Sequence, residues 1–239
     1  MTSLFIALLV AVILIRHNYK KNKPRLAALI AEDKEKERLK GQLRDTRRRE
    51  WALALADILA LRNGIEKQDL SLKFNLDHSK RLRLEQQVKR ELGLSEHLTG
   101  DALQQAVENI LRHWPRGIGN SPSNFYQQLA FQGQVRNALA FDCMRTAFLT
   151  RCVAGLGWCD NNLAWLVLFL NAQRAQDCFT SWQDYATAYV DARQVWLTLH
   201  NTPPAIAGRD LHEATQYLQD LTGNWRKMPW NEFKIFEPN

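Results

Sequence analysis

VRNALAFDCMRTAFLTRCVA, residues 135–154, decides the fold: it has helical spacing and apolar side chains around most of its circumference. Val135, Leu139, Asp142, Thr146, Leu149 and Val153 share one face, and Ala138, Phe141, Arg145, Phe148 and Cys152 share the adjoining one. A helix apolar on most sides belongs in the middle of a protein. Gly155 and Gly157 stop it, and Asp160-Asn161-Asn162 caps the next helix, whose LAWLVLFL run at 163–170 is too short to span a bilayer and so predicts a central core helix. A third helix opens at Ser181-Trp182-Gln183-Asp184, a capping box with Asp184 in the reciprocal position. Its stripe of Trp182, Tyr185, Tyr189 and Trp196 recurs at helical spacing and predicts packing, with a ligand groove as the alternative.

Outward from this core, every other element also reads as helix. After Pro24, residues 25–62 contain no further proline and only Gly41, so they predict one long helix, or two joined near Gly41, ended by Asn63-Gly64. Its first half is nearly all charged and reads as a solvated stalk; its second half, from Trp51, is apolar and should dock into a globular body. Leu26, Leu29, Leu39 and Leu43 do not sustain a heptad for a coiled coil. Residues 79–92 form a basic amphipathic helix, and Thr99-Gly100-Asp101 caps another that ends before Pro115. The Arg116-Gly117-Ile118-Gly119 loop lacks a preceding strand, a third glycine and a G-K-[ST], so it reads as a plain turn rather than a phosphate loop. After Pro203-Pro204 a last helix covers 209–221, and the tail carries Trp225, Trp230 and Phe233. No alternating strand-length run occurs, and the expected class is all-α.

The N-terminus carries a different signal. The apolar run 4–15 is followed at once by Arg16, His17, Lys20, Lys21 and Lys23. Twelve residues of helix reach about 18 Å against a hydrocarbon core of roughly 30 Å. Flanking residues can extend the segment and snorkel to the interface. A signal peptide would carry its basic residues before the run, and here they follow it. The expectation is a single-pass membrane anchor. Because basic flanks stay on the cytoplasmic side, the body is expected to face the cytoplasm. The expected division is therefore an anchor with basic flank at 1–23, a charged stalk at 24–50 and a helical globular domain at 51–239.

Charge agrees with that placement. The chain has 32 Lys and Arg against 25 Asp and Glu, a net charge of +7, and the whole excess lies within residues 16–64. Anionic lipid head groups are a nearer partner for it than nucleic acid, which is not expected to bind. Cys143, Cys152, Cys159 and Cys178 stand in apolar sequence without a C-x-x-C and are read as reduced core residues. The six histidines form no paired motif. No metal or other cofactor is expected.

The arrangement Phe141-Asp142-x-x-Arg145, Arg151, Gly155-x-Gly157-Trp158, Ala164-Trp165, Phe179-x-Ser181-Trp182 and Tyr189 with Arg193 and Trp196 resembles the bacterial family called domain of unknown function 1266. The likeness is strong over 134–200 and departs at Asp191-Ala192, where the family tends to place glycine before the arginine. It implies a helical domain in a bacterial host, hence an inner-membrane location for the anchored chain, and it brings no reaction.

Few charges interrupt this core, and they are the candidates for anything specific: Asp142, Arg145, Arg151, Asp184 and Arg193. Asp142 and Arg145 are spaced to pair along one helix. The five can form an ion-pair network that fixes helix register, or a cleft in which Arg145, Arg151 and Arg193 hold a phosphate or carboxylate. Asp142 as a general base has no nucleophile, histidine or metal companion in the sequence. Trp165, Trp182, Tyr185, Tyr189 and Trp196 are candidates for an interface or for core packing. Two functions follow as expectations: a membrane-tethered module that binds another protein, or an enzyme or sensor with an anion site.

Overall fold

A computed structural model describes residues 2–65, 71–73, 75–219, 223–232 and 234–236, without the side chains of helix residues 2–21, 25, 26, 210, 211, 214 and 218. The side chains of the expected anchor, most of its basic flank, and Leu221 and Phe233 lie outside the described residues. Among the described residues there is no strand, and no helix is long and apolar enough to cross a membrane. The chain is all-α. It falls into two units, residues 1–47 and residues 48–239.

In the first unit the backbone is helical from Thr2. Helix α1, Thr2–Ala54, runs through Pro24 and Gly41 without a break, so Pro24 does not open a helix as its position suggested. Pro24 is exposed, and there water can serve the carbonyl that lacks a donor. Charged residues along the exposed stretch pair over one turn, Glu32 with Lys36 and Glu35 with Arg38.

In the second unit α1 ends at Ala54, and α2, Asp57–Arg62, restarts after a two-residue break. The break lies where residues 51–56 are completely buried, so its orphan carbonyls need donors. They receive them from aromatic side chains far along the chain: Trp225 Nε1 donates to Ala54 O at 2.7 Å and Tyr185 Oη to Leu55 O at 3.1 Å. Asp57, also buried, accepts from Tyr217 Oη.

Helix α3, His78–Leu92, starts on an Asp77 cap and stops at a left-handed Gly93. Then follow α4, Gly100–Arg112, a short 3₁₀ turn, and α5, Phe125–Phe131. Helix α6, Val135–Gly155, is the centre: residues 143–154 are buried on every side, and α7, Asn161–Cys178, and α8, Trp182–Leu199, pack along it with α2, α3 and α5 covering the remainder. The expected central role of α7 is not observed. Leu166 and Leu170 on it are exposed, because α7 meets α6 and α4 on one side and solvent on the other. Helix α9, Pro204–Gln219, begins five residues earlier than the sequence suggested, with Pro204 as its first residue, and α10, Asn224–Lys227, leads into the tail.

The N-terminus of α8 refines the expected capping box. Ser181 accepts from the Asp184 N–H as a cap should. The Asp184 carboxylate instead takes the Thr180 N–H at 2.9 Å and Oγ1 at 3.1 Å, and pairs with Arg136 at the start of α6. The Arg136 guanidinium, ahead of the Thr180 bonds, holds this carboxyl down at about 2, against an ordinary value of 3.8. A depressed carboxyl supports the fold above its unfolded value and stops doing so as pH falls through its folded one. Wild type is therefore expected to lose stability between about pH 4 and pH 2 more steeply than Asp184→Asn, which melting temperatures across that range would check.

Candidate functional site

Of the residues singled out in the sequence, the structure brings Arg145 and Arg193 to one cavity and puts the others elsewhere. Arg151 is buried at 1% exposure and donates from Nε to Ser71 O at 2.9 Å, tying α6 to the connector after α2. Asp184 serves the α8 cap. Asp142 does not pair along the helix with Arg145: it accepts from Tyr126 Oη at 2.8 Å, while Arg145 turns to Glu91. The expected single network is thus corrected to separate anchors, since Asp142, Arg145, Arg151 and Asp184 each find a partner on a neighbouring segment.

Burial raises the Asp142 carboxyl above the ordinary range, against the Tyr126 hydrogen bond and the fields of Arg174 and Arg145, which lower it. Burial, with the Asp142 charge behind it, pushes the Tyr126 phenol up to about 12. Tyr126 therefore stays protonated and donates, and the pair holds α5 on α6.

Arg145 is seated by the glycine loop. Its Nη1 donates to Asn120 O at 2.9 Å and Ser121 Oγ at 3.1 Å, and its Nη2 to Glu91 Oε2 at 2.7 Å. The same loop is pinned to the end of α3, with Asn120 N–H donating to Glu91 O at 2.7 Å. Gly119 has φ +87°, and a Cβ there would lie 2.5 Å from Arg145 Nη2 and 2.8 Å from Glu91 O. The residue is glycine because backbone and guanidinium meet where a side chain would stand. The turn expected from Gly117 and Gly119 is thus a cradle for a cation of the chain itself.

Beside Arg145 lies a cavity of about 150 Å³ between α2, α3, α6 and α8. Its floor is buried: Phe141, Phe148, Leu149, Tyr189 and Arg145. Its mouth is formed by half-buried side chains, Arg62 and Asn63 after α2, Gln87 and Glu91 on α3, and Arg193 and Trp196 on α8. Gln87 Nε2 donates to Asn63 Oδ1 at 2.7 Å and joins two sides of the mouth. The Arg193 guanidinium lies 4.3 Å from the centre of the Trp196 ring, which positions it by cation–π attraction. Arg62 pairs with Glu213 at 3.8 Å. Glu91 is engaged by Arg145, and Arg62 and Arg193 bring two further guanidinium groups to the cavity wall.

Sequence reading found Arg145 and Arg193 and missed Arg62, Glu91 and Gln87. Helical spacing tells which face of an element each residue occupies, but not that α2 and α3 converge on α6 and α8. The aromatic candidates also separate. Trp182, Tyr185 and Tyr189 are core, not surface, while Trp165 stacks on Phe169 at 5.6 Å with Arg49 over it at 5.1 Å. Of these candidates Tyr189, in the floor, and Trp196, at the mouth, line the cavity. Cys143, Cys152 and Cys159 are buried, and burial raises each thiol to about 12, which keeps them protonated and unreactive at neutral pH. Among the described residues no three His, Cys, Asp or Glu side chains converge as a metal set would.

No curated protein and no solved structure matches the chain. A family model does match, over residues 15–230, which takes in the glycine loop, all four helices around the cavity and the tryptophans of the tail. The chain belongs to the family described as Protein of unknown function (DUF1266).

Proposed function

We propose that the domain binds a small anion in the cavity between α2, α3, α6 and α8, with Arg193 as the principal contact and Arg62 beside it. The observation that carries this reading is the cavity itself: an opening over a buried floor, with the side chains of Arg62 and Arg193 at its mouth. The absence of a paired nucleophile and base among the lining residues favours binding over catalysis. Titration of the full-length protein with acetate and inorganic phosphate, followed by amide chemical shifts, is expected to perturb residues 59–63, 87–91 and 189–196. Arg193→Gln is expected to weaken binding about tenfold, a loss of about 1.4 kcal/mol. Arg83→Gln, on an exposed part of α3, should bind like wild type. Shifts confined to the charged residues 34–49 would count against the site.

The setting in the same proposal is the cytoplasmic face of a bacterial inner membrane, with residues 1–23 as anchor. What supports it is the order of the sequence, an apolar run followed by a basic cluster. Full-length protein is expected to stay with membranes through an alkaline carbonate wash, and its release would remove the anchor from the account.

A protein partner is the second reading. Phe131 is 94% exposed and Val135 65% exposed where α5 turns into α6, an apolar pair on the surface in place of the buried aromatics. Loss of a co-purifying protein in Phe131→Asp would support it, and unchanged recovery would oppose it.

A further inference from the structure

We propose that the outer face of α7 is the interface of a dimer, where it meets the same face of a second copy of this chain, antiparallel, about a two-fold axis between residues 166 and 170. The apolar run at 163–170 belongs to a helix that packs chiefly on α6 and α4, along one side. Its other side exposes Leu166 at 53% and Leu170 at 39%, one turn apart on the same face, with Leu163 and Phe169 half-buried beside them. The tail extends this strip. Phe236, 49% exposed, is held beside its C-terminal end by the hydrogen bond from its N–H to Gln173 Oε1 at 3.1 Å. No charged residue stands on α7 between 161 and 173, so burying the strip takes no ion out of water.

The strip is self-complementary in one direction. Antiparallel apposition sets Leu166 of one copy against Leu170 of the other, and Leu163 against the Phe236 that sits by Gln173, so each exposed apolar side chain meets another. Charge selects the same direction. Arg49, exposed, lies over the Trp165 ring at 5.1 Å beside the N-terminal half of the strip, and Asp177, exposed, stands beyond its C-terminal end. Antiparallel helices bring each Asp177 to the end where the other copy carries Arg49 and the positive N-terminus of α7; parallel helices would set like charge on like. Asp160, at that same end, is occupied with the Asn162 and Leu163 N–H groups of its own helix. A second copy thus carries both the apolar spacing and the two charges that this face asks of a partner. The strip is about two turns long, so the dimer is a weak and reversible one.

Sedimentation equilibrium of the full-length protein in a mild detergent, over a concentration series, tests this. A monomer–dimer equilibrium is expected, and Leu166→Asp should weaken it about tenfold or more by setting a carboxylate against Leu170. Leu166 is exposed within one copy, so the variant should keep its helical circular dichroism. Leu82→Asp, at an exposed leucine of α3, should dimerise like wild type. Direction is read by cross-linking in a Cys178→Ser background, which removes the one half-buried cysteine. Leu166→Cys mixed with Leu170→Cys should form disulfide dimers faster than either variant alone. A monomer at every concentration, or a dimer that survives Leu166→Asp, would overturn the interface. Faster cross-linking of each variant with itself would overturn the antiparallel pairing. A monomer that carries a different protein, lost in Leu166→Asp, would overturn the dimer and give the face to that protein.

Discussion

Gly119→Ala is expected to destabilise the fold by about 3–5 kcal/mol, the range for breaking a buried ion pair by disturbing one partner. The Cβ would lie 2.5 Å from Arg145 Nη2 and 2.8 Å from a backbone oxygen, Glu91 O. The guanidinium could move only by giving up its bonds to Glu91, Asn120 and Ser121, and the carbonyl is fixed by the Asn120 N–H. Part of that total is the backbone cost of a side chain at φ +87°, of order 1–2 kcal/mol. Gly64→Ala supplies the control. Its φ is +68° but nothing lies within 4 Å of the added carbon, so only the backbone cost of about 1 kcal/mol should appear. Urea unfolding of both variants separates the terms: equal losses would show that the loop does not seat Arg145.

Trp182→Ala is expected to cost about 3–5 kcal/mol, as large aromatic truncations in cores do. Trp182 stands in a cluster of four tryptophans, with ring centroids 4.9 Å from Trp51, 4.8 Å from Trp225 and 4.8 Å from Trp230. The cluster joins the end of α1, the start of α8, α10 and the tail. Three of its four polar tips are spent on backbone: Trp182 Nε1 donates to Met228 O, Trp230 Nε1 to Phe179 O and Trp225 Nε1 to Ala54 O. Trp182→Phe keeps most of the ring contacts and loses the Met228 hydrogen bond, so a smaller loss of about 1–2 kcal/mol is expected. Chemical denaturation with near-ultraviolet circular dichroism measures both, and a loss below about 1 kcal/mol for the alanine variant would show that the cluster is not central.

The helices were legible where periodicity and caps agreed. The buried circumference of α6, the Ser181 cap of α8 and the all-α class follow from local sequence, because these depend on neighbours within a few positions. The centre of the domain was less legible. LAWLVLFL at 163–170 is more apolar than α6, yet α7 is the helix that faces water on one side, since hydrophobicity ranks segments without saying how many partners each will find. The aromatic stripe of α8 gave packing correctly but not its second use, the donation by Tyr185 to a carbonyl freed at the α1–α2 break, 130 residues away in sequence.

The site was half legible for the same reason. Asp142 and Arg145 are spaced to pair, and local spacing cannot weigh that pair against Tyr126 and Glu91, which tertiary packing brings closer. Arg145 and Arg193 stood out because charges are scarce in that part of the chain. Arg62 sits at the end of an apolar run, beside the Asn63-Gly64 turn, and nothing around it in the sequence marks it as part of a cavity wall.

Arginine-selective labelling with phenylglyoxal, mapped by mass spectrometry, with and without inorganic phosphate, tests the central claim most directly: that the arginines at the mouth of the cavity meet an anion while those in its floor and core do not. Arg193 and Arg62 should label and be protected by phosphate, while Arg145 and Arg151, both buried, should stay unlabelled in either condition. Labelling of Arg145 at the rate of Arg193, or labelling of Arg193 that phosphate leaves unchanged, would contradict the account.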